Sequence, residues 1–146
     1  MSNEVMSETY SLAVLAGRLA VCRLGADAPF PVWARWNGLF SLTRTADELS
    51  IVCDEGSVPE GITAERGWRA LKVQGSLEFS MVGVLARLAG VLAAAGVSIF
   101  VVSTYNTDYL LVKVEKLETA VRVLGEAGHR ISGETNQQIA NRQADS

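Results

Sequence analysis

Val73-Gln74-Gly75-Ser76-Leu77-Glu78-Phe79-Ser80-Met81-Val82-Gly83-Val84-Leu85 leads into a run of small residues. That run ends in Ser103-Thr104-Tyr105-Asn106-Thr107-Asp108-Tyr109-Leu110-Leu111-Val112, and together these stretches decide the fold. They read as strand, polar loop, helix, strand, polar turn, strand. Polar side chains gather before the helix and between the last two strands, and the remainder is core. The stretch offers no metal set, no nucleophile paired with a base and no Lys. Such a site is suited to hold a ligand and not to transform it.

The helix is the clearest element. From Met81 the apolar positions 81, 84, 85, 88, 91, 92 and 95 recur at helical spacing. Gly83, Ala86, Ala89, Gly90, Ala93 and Ala94 make much of its remaining surface small, which admits close approach by a sheet or a second copy. Gly96 suits the position just past the helix, where a positive φ ends it cheaply. Ser80 is the expected N-cap. The N–H groups of Met81 to Val84 would then form the positive end of the dipole, able to take an anion without a basic side chain.

Val97 to Val102 is an expected strand, and Leu110, Val112 and Val114 give the next one its apolar face. The connection from Ser103 to Asp108 is too long for a two-residue hairpin. Asp108 stands where the turn re-enters an apolar strand, well placed to meet an ammonium group. Leu117, Ala120, Val121, Leu124 and Ala127 form a second amphipathic helix, stopped at Gly128. His129, the one histidine, is expected at the surface or as a C-cap.

The first half is less regular. Leu12 to Leu15 and Leu19 to Leu24 are short strands, or one long bent strand with Gly17 at the bend. Pro29 and Pro31 break the pattern, and Val32, Trp33 and Trp36 are spaced for one helical turn over Val32 to Asn37. Leu39 to Arg44 alternates as a strand. Thr45-Ala46-Asp47-Glu48 has capping-box spacing, followed by a strand at Leu49 to Cys53. Asp54 to Gly61 is loop chemistry, Ile62 to Gly67 reads as a linker, and Trp68 to Val73 as a strand. The polar set from Ser41 to Glu48 is a solvated strand end, or a wall facing the second half's site. Arg44 is its candidate carboxylate contact.

The chain has 146 residues, 49% hydrophobic and 20% charged, with a formal net charge of −3, ample to bury a core. Its basic residues are scattered singly, which argues against nucleic acid. The apolar stretch from Leu88 to Val102 is too short and interrupted to span a membrane, and no basic secretory leader is visible. Cys22 and Cys53 read as reduced core thiols, so a cytoplasmic location is expected.

From Trp68 the order β-α-β-β-α, closed by a strand at Arg130-Ile131, is a ferredoxin-like unit. It resembles an ACT domain, a small regulatory module of amino-acid metabolism. Ser103 to Val112 resembles the signature of a stand-alone tandem-ACT family of small bacterial proteins, related to the cytosolic arginine sensors of animal cells. Ser41 to Val52 is similar to that family's first-module segment. The resemblance implies an α+β fold with two ferredoxin-like βαββαβ modules in tandem, the first less regular. The boundaries are residues 10–66 and 67–133, followed by a polar, disordered tail at 134–146.

The resemblance further implies an amino acid held at module interfaces. Gly83 and Val84 match the helix-entry backbone, Thr104, Tyr105 and Asn106 the hairpin positions, and Asp108 the acid that receives the ligand's amine. Many ACT domains carry Asp where this chain has Ser80, so an arginine-like ligand is not implied. The expectation is a non-enzymatic regulatory protein that binds a small amino acid or related metabolite, homodimeric, with a regulated protein partner. It needs no cofactor and no metal. A ligand-free scaffold of the same fold is the alternative, and a Cys53–His129 thiol–imidazole enzyme is a distant third.

Overall fold

The computed structural model describes residues 9–74 and 83–133. The expected cap at Ser80, the loop before the helix and the polar tail lie outside the described residues.

Strands come first: β1 (Ser11–Val14), β2 (Leu19–Leu24), β3 (Ser41–Arg44), β4 (Leu49–Asp54) and β5 (Thr63–Gln74). Helix α1 (Val84–Ala94), β6 (Phe100–Ser103), β7 (Asp108–Lys113), α2 (Leu117–Glu126) and β8 (Arg130–Gly133) follow. Among the described residues the eight strands form one sheet. The class is α+β, as expected. The second half, β5-α1-β6-β7-α2-β8, is the βαββαβ unit.

Strand β5 organises both halves. Trp68 pairs with Leu19 of β2 on one edge and Lys113 of β7 on the other. Further along that first edge β1 takes over from β2, with Val14 opposite Leu71 and Ser11 opposite Gln74. Residues 11–24 are thus one bent strand interrupted at Leu15 to Arg18, and β1 lies between β5 and the parallel β8. The linker expected at Ile62 to Gly67 is instead largely the first part of β5, and residues 66 and 67 sit inside that strand. Its polar composition reflects exposure and a bulge, not a break. Gly67 has φ +78° at the irregularity, and its N–H donates to Glu55 Oε1 at 2.5 Å. Only glycine enters that region without cost.

The short helix expected over Val32 to Asn37 is absent. Ala34 N–H closes a turn onto the Pro31 carbonyl at 3.0 Å, and Val32 and Trp36 are exposed. Without a buried stripe one turn of helix has nothing to stabilise it. Thr45 to Glu48 is a hairpin turn: Thr45 Oγ1 accepts from Asp47 and Glu48 N–H at 3.1 Å each.

Three clusters fill the two faces. Val84, Leu88 and Leu92 of α1, with Leu117, Ala120 and Leu124 of α2, cover Leu12, Leu71, Leu110 and Val112 on the helix face. Trp68, Ala70 and Leu111 point the other way, where they join Leu19, Leu39 and Val52. The segment through Trp33 and Phe40 closes a third cluster over Cys22, Ile51 and Cys53. Helix α1 ends as expected, with Gly96 at φ +76° and Val97 N–H returning to the Leu92 carbonyl at 2.9 Å.

Register places polar side chains in rows on the first half's open face. Thr43, Ser50, Arg23 and Thr63 stand opposite one another across β3, β4, β2 and β5. In the next row Ser41 and Glu65 flank Val21 and the buried Val52, where the polar surface gives way to the second cluster.

Candidate functional site

The turn between β6 and β7 is built by two threonines. Thr104 N–H donates to the Thr107 carbonyl at 2.8 Å, and Thr107 N–H donates to Thr104 Oγ1 at 3.3 Å. Thr107 is buried, and its hydroxyl donates to the Val73 carbonyl at 2.6 Å. Of the expected polar run, these two side chains are structural. Tyr105 and Asn106 are left exposed at the tip.

Asp108 opens β7 opposite Ser103 and is half-buried. Strand alternation puts it on the face of Leu110 and Val112, which is the face the helices cover. Its carboxylate has no ion pair or hydrogen bond among the described residues. Helix α1 begins at the same end of the sheet, after β5 has run out at Gln74. Gly83 occupies its N-cap position without a side-chain cap, and Val84 packs in the cluster that holds Val73 and Leu110. The first N–H groups of α1 and the Asp108 carboxylate therefore belong to one end of one face. A negative side chain and a positive helix end are the two poles a zwitterion needs.

Arg44 is not brought there. Its guanidinium donates to the carbonyls of Ala26 and Ala28, the latter at 2.6 Å. It stands opposite Leu49 on β3, level with Leu24 and with the start of β5 at Thr63. Thr107 touches Val73, ten residues along β5 and about 30 Å of extended strand away.

His129 is 8% exposed, so the expected surface position is corrected. It stacks on Tyr10 with ring centroids 5.4 Å apart, and its Nδ1 accepts the Tyr10 N–H at 3.1 Å. Burial, and secondarily the Arg87 charge, hold it below the usual histidine range. Cys53 lies in the third cluster, on β4 opposite Ala20 of β2, whereas His129 contacts Tyr10. Its thiol is lowered to about 7, chiefly by the hydrogen bond from Cys22. Cys22 is correspondingly raised by that bond and by burial.

Three features escape sequence reading: the Thr107 contact, the Tyr10–His129 stack and buried Arg69. Arg69 is 1% exposed and donates Nε and Nη2 to the Leu15 carbonyl at 3.2 and 2.8 Å. The break between β1 and β2 leaves that carbonyl for it. Among the described residues no cluster of His, Cys, Asp and Glu could hold a metal, and no helix is long and apolar enough to cross a membrane.

The family model of the ACT domain matches residues 63–126, and a second model, of an N-terminal domain, matches residues 17–61. A crystallographic structure of an Agobacterium tumefaciens protein is 37% identical, with a TM-score of 0.83 over 88% of this chain and 96% of that one. The ligand-free regulatory subunit of aspartate kinase from Thermus thermophilus superposes with a TM-score of 0.59. It covers 83% of this chain and 99% of that one at 13% identity, a likeness of fold alone. Cytosolic arginine sensor for mTORC1 subunit 1 of Homo sapiens is 38% identical over 58 residues, or 39% of this chain. The match spans only 18% of that protein's length.

Proposed function

The chain belongs to the ACT-domain family, and on that premise we propose that it is a non-enzymatic regulatory protein. It binds a small amino acid at the interfaces between its modules and passes that state to a protein partner in the cytoplasm. The observation that carries this reading is the tie between Thr107 and Val73, which fixes Asp108 at the end of the sheet where α1 begins. Asp108 receives the ligand's ammonium. The N–H groups at Gly83 and Val84 receive its carboxylate, and Thr104, Tyr105 and Asn106 border the site. Arg44, already bonded to two carbonyls, would contact a ligand only from another chain or another site.

The active species is a homodimer presenting four ACT-like units. Thermal denaturation against each of the twenty amino acids tests the reading. One ligand at a hundredfold excess over its Kd should stabilise by about 2.7 kcal/mol.

A scaffold that binds no metabolite is the second reading. Phe30, Val32 and Trp36 favour it, because they expose large apolar surface along one short segment. Absence of any shift with all twenty amino acids would support it.

A further inference from the structure

The first half carries a cavity that none of the residues above uses. It measures about 510 Å³, within the range of small-molecule sites. Its floor is the polar row of Thr43, Ser50, Arg23 and Thr63, with Val21 beside it. Phe100, from β6 at the far edge of the sheet, forms an apolar wall, so both halves contribute.

The charges are arranged unusually. Glu48, in the turn just before β4, lines the cavity together with Ser50 and with Arg23, the β2 partner of Ser50. Among the described residues Arg23 makes no ion pair or hydrogen bond, and the Glu48 carboxylate has no ion pair. Glu65, the other acid of the cavity, sits 3.9 Å from Lys113. What remains is one guanidinium and one carboxylate lining one cavity, separated by hydroxyls and not closed upon each other. That site is neutral overall but polarised. It complements neither a simple anion nor a simple cation.

We infer that this cavity binds a zwitterionic amino acid with an apolar side chain. The ligand's carboxylate pairs with Arg23 and the hydroxyls of Ser50 and Thr43. Its ammonium meets Glu48, and its side chain lies against Phe100 and Val21. The ligand class is that proposed for the Asp108 site, but the two sites share no residue.

The test is a titration of the full ¹⁵N-labelled chain with L-leucine and L-phenylalanine, followed by amide shifts. Isocaproate, which lacks the ammonium, and isoamylamine, which lacks the carboxylate, are the controls. The amino acids should shift Arg23, Thr43, Ser50, Thr63 and Phe100 at concentrations where the controls do not. Arg23→Gln and Glu48→Gln should each weaken that response at least about tenfold, as expected for loss of a charged hydrogen bond. Asp108→Ala should leave it intact, which separates failure here from failure at the other site. Arg23 is exposed and Glu48 half-buried, and unchanged shifts elsewhere confirm that each variant keeps the fold. No response of this cluster to either amino acid, a response equal to that of isocaproate, or one unaffected by Arg23→Gln would overturn the assignment.

Discussion

The hydroxyl of Thr107 donates to the carbonyl of Val73 at 2.6 Å, joining the β6–β7 turn to the end of β5 across a sequence separation of 34 residues. The bond is buried and fixes where Asp108 begins. Thr107→Val keeps the shape and removes the donor, leaving the Val73 carbonyl unsatisfied. Stability should fall by about 1–3 kcal/mol. Urea unfolding should show a lower midpoint at unchanged slope.

Two glycines should respond in opposite directions. Gly67→Ala forces a Cβ into φ +78° and should cost about 1–2 kcal/mol. Gly90 lies inside α1, and a Cβ there meets nothing within 4 Å. Gly90→Ala should therefore stabilise by up to about 1 kcal/mol through helix propensity. Thermal melts of the two variants beside the parent decide both.

Leu88→Ala removes a fully buried side chain of α1 that packs between the sheet and α2. The expected loss is about 2–5 kcal/mol, depending on how far the site collapses. Leu42→Ala, on the exposed edge strand β3, should change stability by less than about 0.5 kcal/mol. Denaturant midpoints that rank these two the other way would contradict the core described.

His129 gives the stability a pH dependence of fixed sign. Its folded form resists protonation, so the unfolded chain takes up the proton first as pH falls below about 6.5. The unfolded state then binds more protons, and stability falls with decreasing pH through that window until the folded form also protonates. Above about pH 7 both states are neutral and the contribution disappears. His129→Asn keeps an acceptor for the Tyr10 N–H and should reduce the slope of unfolding free energy between about pH 5 and 7.

Cys53 has a lowered thiol, yet it and Cys22 are buried. Access should govern reactivity over acidity. Iodoacetamide should leave both cysteines unmodified in the folded protein and label both in urea, as read by mass. Rapid labelling of native Cys53 would reopen a nucleophilic role.

Much of the second half was legible because its periods are strong. The apolar spacing of α1, its stop at Gly96 and the alternation of β7 all specify one local answer. The first half was less so. Thr63 to Gly67 is too polar to announce a strand, because β2 supplies the pairing and Gly67 absorbs the bulge. Val32 and Trp36 have helical spacing but no surface to bury against. At the site, Asp108 stood out as an acid in an apolar strand. Thr107 looked like one more turn residue, since its partner lies 34 positions away. The chemistry of Arg44 suits a carboxylate, and only the folded chain reveals the two carbonyls that occupy it.

Calorimetric titration of the parent and of Asp108→Ala with each of the twenty amino acids addresses the central claim most directly. The account predicts that at least one amino acid binds the parent and that the variant loses the heat assigned to the Asp108 site. Any heat from the Arg23 cavity should remain. No binding by any amino acid, or binding at full stoichiometry and affinity in Asp108→Ala, would contradict it.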